Sequence, residues 1–419
     1  MSFLPRIVET ELEICLAATG AVVLEGPKAC GKTATARKRA ASEILLDVDD
    51  NARQLASVDP GTALRGEAPR LIDEWQLEPS IWNHVRRAVD DRATPGQFIL
   101  TGSAVPADDV TRHSGAGRFT RIRMRPLSLF ESQLSNGEIS LAKLLDGSDQ
   151  SAQASSFSVP ELAEVVAGGG WPGNVSLSLR QTLRANRDYL NEISRTDVSR
   201  VAQRRTDPVR VGRLIRSLAR NTATEVALSK LAADVGANRI SMKPETAASY
   251  LDALEQLMVI EDQPAWSPHL RSRAVLREAS KRHFVDPSLA VAALRATPDR
   301  LLEDLRFLGF LFESMVIRDL RIYAQANDAE VFHYREKGGL EVDAIVQAAD
   351  GRWAAFEIKL GQRRVEEGAK NLRRLAQRAP RATRDAPSEP STLAVIVPNG
   401  YGYTGRNDVG VIPIGALGP

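Results

Sequence analysis

The sequence predicts an α/β chain: a doubly wound parallel sheet at the N-terminus, a helical middle, and a second mixed α/β domain at the C-terminus. Three observations carry that prediction. Val22-Val23-Leu24, the loop Gly26-Pro27-Lys28-Ala29-Cys30-Gly31-Lys32-Thr33 and the alanine-rich basic run through Ala40 give strand, G-x-x-x-x-G-K-[ST] and helix in succession, the context of a phosphate-binding loop. An apolar strand, Arg70-Leu71-Ile72, then ends in Asp73-Glu74. Beyond residue 296 the apolar patterns read in the order helix, three strands, helix, strand.

Each element of the first domain, residues 1–140, has a chemical reading. The helix at 7–18 leads into the first strand, and residues 44–48 are a second apolar strand. The loop glycines let successive N–H groups face phosphate oxygens, and the following helix adds positive charge at its start. The backbone from Gly26 to Ala34 is expected to line a nucleoside triphosphate, with Lys32 on its β- and γ-phosphates and the Thr33 hydroxyl on Mg²⁺. Asp73 should hold the Mg²⁺ shell, directly or through water, and Glu74 should orient and deprotonate the attacking water. After a helix at 80–91, the strand Phe98-Ile99-Leu100 ends in Thr101-Gly102-Ser103. Ligands of such sheets sit at the carboxyl ends of strands, so Thr101 and Ser103 are candidates to sense the γ-phosphate or position water; a plain turn is the other reading. Arg118 follows the turn Gly115-Ala116-Gly117. It is either an arginine finger for a neighbouring subunit's nucleotide or a surface arginine.

The block resembles a bacterial and archaeal family of AAA-type P-loop ATPases. The resemblance rests on Pro5-Arg6, the GPKACGKT loop, LIDEWQ, ILTGS, the Gly-Arg at 117–118 and RPLSLFE at 125–131. It implies ATP with Mg²⁺ and hydrolysis; Arg118 acting between subunits would motivate a homo-oligomeric ring, a hexamer being one form. Lys28 stands where the family usually has arginine, and Ala34 where it often has threonine.

Composition narrows the function classes. Lysines and arginines number 55 against 53 acids, a net charge of +2. The balance is local rather than uniform: Arg180 to Arg220 holds eleven arginines, no lysine and four acids, which suits nucleic acid or solvent. Two cysteines, Cys15 and Cys30, give no disulfide framework and fit a cytoplasmic protein. No signal peptide or run of about 20 apolar residues is read, so no membrane partner is expected. The five histidines lack metal-ligand spacing.

In the middle, residues 147–158 read as a linker within a connector spanning 141–205, with an arginine-rich helix over 178–205. Helical patterns at 209–220, 226–235 and 244–257, then an apolar strand at 258–260, a basic stretch and the strand His283-Phe284-Val285, predict a winged helix over 206–295. The third helix would face DNA, and Arg271, Arg273 and Arg277 would reach phosphates. Glu245, Asp252 and Glu255 on that helix repel phosphate, so a protein-docking role stands beside the DNA role.

The C-terminal domain, 296–419, begins with an amphipathic helix over 301–323 containing Glu313. Strands at 331–334, 341–346 and 353–359, a charged helix at 363–378 and a strand at 393–397 follow, with 409–414 as an extra edge strand. That order is the core of the restriction-endonuclease-like fold. Asp343 lies on the second strand; Glu357 and Lys359, two apart, share a face of the third. Glu341 shares a face with Asp343 and carries no assigned role. Mg²⁺ or Mn²⁺ held by Glu313, Asp343 and Glu357, with Lys359 near the nucleophilic water, would make a metal-dependent nuclease; ordinary alternation on a half-exposed strand is the other reading. The pieces GFLFES, FHYREKGGLEVDAIV and FEIKLG look like the domain that usually accompanies this ATPase family, and the nuclease superfamily's Asp…Glu-x-Lys pattern maps onto Asp343, Glu357 and Lys359. Together these imply an ATPase coupled to a nuclease-like DNA-binding domain that processes DNA, branched DNA being well suited. The alternative is an ATP-driven switch or remodeller that binds protein or DNA without cutting.

Overall fold

The computed structural model describes residues 4–103, 114–149, 151–202, 206–236, 242–267, 279–336, 338–378, 389–404 and 408–419. Five parallel strands form the first sheet: β1 (Ala21–Glu25), β2 (Ser42–Leu45), β3 (Arg70–Asp73), β4 (Phe98–Gly102) and β5 (Phe119–Arg123), in the order β2-β3-β4-β1-β5. Strands of such sheets are covered on both faces and read as unbroken apolar runs. Ala21 and Val23 of β1 join Val85 and Val89 of the helix Ile81–Arg92 in one core cluster. Val22 and Leu24 point the other way, onto Leu12 of the helix Val8–Ala18 and Ala36. The sheet is therefore wound on both sides, as the sequence predicts. The second strand ends at Leu45 rather than at Val48, which is exposed.

The middle of the chain is helical. Ser158 and Glu161 close a capping box on the helix Val159–Gly168. Gly170 comes next, where an added Cβ would meet the Leu127 carbonyl at 2.0 Å, so only glycine permits this approach. The long helix expected over 178–205 is interrupted: the helix Leu179–Glu192 runs into a π turn, Ile193–Asp197, and then a short helix Val198–Val201. Three helices follow, Pro208–Arg220, Leu228–Gly236 and Pro244–Gln256. After them β8 (Ile260–Gln263) pairs antiparallel with β9 (Lys281–Phe284). The strand expected at 258–260 starts only at Ile260, because Met258 takes a left-handed turn, φ 55°. Arg271, Arg273 and Arg277 lie outside the described residues.

The C-terminal sheet has seven strands. β10 (Ala329–Arg335), β11 (Glu341–Ala348) and β12 (Trp353–Ile358) run antiparallel in succession, and β13 (Thr392–Val397) lies parallel to β12. β15 (Val409–Pro413) is parallel to β13, and β14 (Asn399–Thr404) antiparallel to β15. The seventh strand, β7 (Ala152–Ser156), pairs with β14 and comes from the stretch expected to be a linker. With β14 and β7 beyond it, β15 is interior and not an edge. A separate parallel bridge joins β6 (Ile139–Ser140) to β16 (Leu417–Gly418).

Two helices sandwich this sheet. Ala354, Phe356 and Ile358 of β12 face the cluster containing Leu311 and Met315, while Trp353 and Ala355 face Leu372 and Leu375 of the helix Val365–Arg378. The first helix is not amphipathic as predicted. Asp304 splits it into Pro298–Glu303 and Leu305–Gln325, and every residue from Leu311 to Ala324 is buried. A helix buried all round is a central one. One hydrophobic cluster accordingly runs from Leu129 to Leu417.

Buried charge fixes that helix in place. Arg318 Nη1 donates to Asp286 at 2.7 Å, and its Nη2 lies 2.7 Å from Asp319. Asp286 also accepts from the Gly170 N–H at 2.9 Å, and Asp319 from the Leu129 N–H at 3.0 Å. Removing one partner from such a cluster leaves uncompensated buried charge. Arg318→Met is therefore expected to lower unfolding stability by about 3–5 kcal/mol, measured as a shift of the chemical denaturation midpoint.

Candidate functional site

The phosphate loop leaves β1 at Gly26, where a Cβ would lie 2.4 Å from the Met124 carbonyl. It turns through Ala29 (φ 62°) and Gly31 (φ 102°) into a six-residue helix, Lys32–Arg37. Lys32 is only 5% exposed, and its ammonium bonds the carbonyls of Gly26 and Pro27, each at 2.9 Å. A buried cation with carbonyls for partners and no carboxylate suits an incoming phosphate.

Residues from two further strands converge here. Thr33 Oγ1 donates to Asp73 Oδ1 at 2.8 Å, and Thr101 Oγ1 donates to the same oxygen. Glu74 sits just past β3 in the left-handed region (φ 52°, ψ 45°). Its carboxylate accepts from Ser103 Oγ at 3.2 Å and from Gln76 Nε2. Each hydroxyl at the end of β4 thus holds one member of the acidic pair. The residues fit a nucleotide with Mg²⁺: Thr33 and Asp73 place two oxygens side by side where a cation would sit, and the loop amides and Lys32 would face its phosphates.

Arg118 is elsewhere. It precedes β5, its carbonyl accepts from the Ala21 N–H at 3.1 Å, and its guanidinium pairs with Asp90 at 2.8 Å. That is the amino end of β1, about 16 Å from the loop at the usual rise per residue. Arg118 does not serve the nucleotide site of its own chain.

Sequence reasoning missed the supports of the loop. Arg6 donates to Glu131 at 2.9 Å, to the Cys30 carbonyl at 2.7 Å and to the Arg125 carbonyl at 2.7 Å. Pro5-Arg6 and RPLSLFE are visible in sequence, but their mutual contact is not. Lys28 pairs with Asp197 of the π turn at 2.5 Å. The Tyr189 hydroxyl lies buried without a partner, its acidity pushed out of range by burial and by Cys30 and Asp197 nearby. Arg125 reaches further, to Glu261 of β8 at 2.7 Å and to Gln325 at 2.7 Å. Burial opposes the charge of Glu261, yet Arg125, Arg321 and Arg123 hold it well below the usual carboxylate range.

In the C-terminal domain, Glu313, Asp343, Glu357 and Lys359 do come together. Asp343 accepts from Lys359 at 3.2 Å and from the Ile358 N–H at 2.8 Å, and Lys359 also pairs with Glu357. Lys359 lies one residue past the end of β12. The unforeseen member is Lys281 of β9. Its ammonium is 2.9 Å from Glu313, 3.0 Å from Glu341 and 3.7 Å from Asp343. Burial works against its charge, but these carboxylates keep it protonated. Burial and the neighbouring Asp343 raise Glu357, and burial raises Glu313 despite Lys281. Among the described residues no three His, Cys, Asp or Glu side chains are arranged to hold a metal ion. The Mg²⁺ or Mn²⁺ expected at Glu313, Asp343 and Glu357 therefore does not fit this arrangement: two ammonium groups hold the carboxylates instead.

The parallel sheet, its loop and the Asp73–Glu74 pair define a P-loop ATPase. Residues 18–133 match the family model described as an AAA domain. Residues 159–300 and 308–417 match two domains of unknown function, DUF8612 and DUF4143. Among curated proteins, uncharacterized proteins of Mycobacterium tuberculosis and Mycobacterium bovis are each 25% identical over 344 residues, covering 81% of this chain and 70% of theirs. Among solved structures, a Walker-type ATPase of Pyrococcus abyssi superposes with a TM-score of 0.42 at 14% identity, over 70% of this chain and 96% of that one. Among the described residues no helix is long and apolar enough to cross a membrane.

Arg6→Ala removes three hydrogen bonds from the loop's support. Charged hydrogen bonds contribute about 1.5–3 kcal/mol each. Nucleotide affinity is expected to fall about tenfold or more, read by titration with a fluorescent ATP analogue.

Proposed function

We propose that this chain is an ATP-driven switch whose helical and C-terminal parts bind DNA without cutting it. The observation that carries the reading is the set of ties around the phosphate loop: Lys28 of the loop pairs directly with Asp197, and Arg6, which holds the Cys30 carbonyl, also holds the backbone of Arg125, whose side chain reaches Glu261 and Gln325. Whatever moves the loop on nucleotide binding or release must move or break these contacts. In the ATPase reaction, Lys32 leaves its carbonyls for the β- and γ-phosphates. Thr33 and Asp73 would hold Mg²⁺, which when bound neutralises charge on the phosphate oxygens. Glu74, oriented by Ser103 and Gln76, aligns the attacking water and takes its proton. Thr101 fixes Asp73. Arg118, remote from its own site, acts on the nucleotide of the next subunit in a ring, a hexamer being one form. The setting is the cytoplasm, which agrees with the free cysteines Cys15 and Cys30.

The three helices and the β8–β9 ribbon are read as a winged helix that contacts DNA or a protein partner, and the seven-stranded sheet as a restriction-endonuclease-like fold. A second reading, metal-dependent cleavage, draws on the convergence of Asp343, Glu357 and Lys359. Lys281 weighs against it, because it fills the space between carboxylates that a cation would need.

Glu74→Gln is expected to lower kcat about 10²- to 10⁴-fold while nucleotide still binds; Lys32→Ala is expected to lose both, as followed by phosphate release and nucleotide titration. End-labelled single-stranded, duplex and four-way-junction DNA should stay intact with Mg²⁺ or Mn²⁺, with or without ATP. Cleavage that disappears in Asp343→Ala would sink the switch reading in favour of the nuclease.

A further inference from the structure

A cavity of about 560 Å³ opens between the helices Leu179–Glu192, Pro208–Arg220 and Pro287–Leu294. Five arginines line it: Arg184, Arg187, Arg213, Arg216 and Arg295. The single acid in the lining, Asp188, is taken by Arg184 at 2.7 Å. Arg213 donates to the Val235 carbonyl at 3.4 Å. Arg187, Arg216 and Arg295 have no ion pair among the described residues, in a chain whose arginines are widely paired. Unpaired like charges gathered in one concavity repel one another, and an anion entering it relieves the repulsion.

The walls add shape to charge. Leu190 and Ile215 give a buried apolar floor. Gly212 lies inside a helix, where glycine is unfavourable, and a Cβ built on it would meet nothing within 4 Å. That position is compatible with a side chain, yet it is empty and keeps the cavity open. Arg295 takes the left-handed conformation (φ 53°, ψ 34°) at the end of its helix, strained for a non-glycine residue. Planar guanidinium groups recognise phosphate oxygens in pairs, and an apolar floor suits a base or sugar. A cavity of this volume is on the scale of small-molecule sites, about 300–1,000 Å³, which suits a nucleotide or two of single strand.

We propose that this cavity binds the phosphates of a single DNA strand. The assignment rests on the reading that the chain acts on DNA, and it gives that reading a site. It also gives a route to the ATPase. Ser194 lines the cavity and Asp197, in the same π turn, holds Lys28 of the phosphate loop. π turns inserted in helices are frequent at functional sites. A DNA strand seated in the cavity and a nucleotide seated on the loop thus both bear on one irregular turn.

The test uses the full chain and a fluorescently labelled 20-nucleotide DNA strand, followed by anisotropy over a range of salt concentrations. Two variants act by different means: Arg187→Ala/Arg216→Ala removes charge at half-buried and exposed positions, and Gly212→Trp fills the cavity without changing charge. Circular dichroism melting checks that each is folded. Both are expected to weaken binding at least tenfold. The arginine variant should also reduce the salt slope by about 1.4, the contribution of two single-strand phosphate contacts. Wild-type binding left unchanged by both variants would overturn this site, while leaving the DNA reading to other surfaces. No binding by the wild type to strand, duplex or junction would overturn that reading as well. Duplex bound as tightly as strand and weakened equally by the variants would overturn the single-strand assignment. Equal competition by polyglutamate of the same charge would overturn phosphate recognition.

Discussion

One buried carboxylate, Glu131, sets the geometry of the nucleotide site. Its two oxygens accept from Arg6, the Ile7 N–H, the Ser128 N–H and the Ser128 hydroxyl, at 2.8–3.2 Å. With its lone pairs so filled, it holds the Arg6 guanidinium in one orientation. The other ends of that guanidinium grip the carbonyls of Cys30 and Arg125. The loop's curvature therefore depends on a residue a hundred positions away in the chain. A buried charge of this kind stays favourable only while every partner is present, so loop and support stand or fall together.

From Arg125 the constraint passes outward. Its side chain spans β8 and the end of the central helix, while Arg318 in the same helix ties Asp286 and Asp319. Asp286 in turn fixes Gly170, and Trp171 Nε1 bonds Ser288 at 3.0 Å. The glycine-rich break after Gly168 is thus a docking point where backbone meets backbone. The middle of the chain is pinned to the ATPase domain at this point, at Lys28–Asp197 and at Arg125–Glu261. These are few, polar and specific contacts, the kind that can exchange partners as a bound nucleotide changes charge.

What sequence shows and hides here follows from the range of each interaction. The phosphate loop, Asp73–Glu74 and the strand–helix alternation are local signals, legible because sterics and periodicity act within a few residues. The carboxylates Glu313, Asp343 and Glu357 were legible as positions on elements. Lys281 was not, because it arrives from β9, across residues whose sequence reads only as basic. The π turn at Ile193–Asp197 was hidden because helical periodicity continues on both sides of it. β15 read as an edge because the strands that cover it, β14 and β7, are rich in glycine and small polar residues. For those strands, pairing in the sheet overrides weak intrinsic preference.

β7 also has a history in time. It leaves the ribosome about 250 residues before the strand it pairs with, a delay on the order of 10–50 s at ordinary rates of synthesis. For that interval it is a strand without a sheet. Its sequence, Ala152 to Ser156, is AQASS, too short of large apolar side chains to seed aggregation while it waits. The blandness that makes the segment look like a connector is what lets an early piece of chain be stored safely for a late assembly.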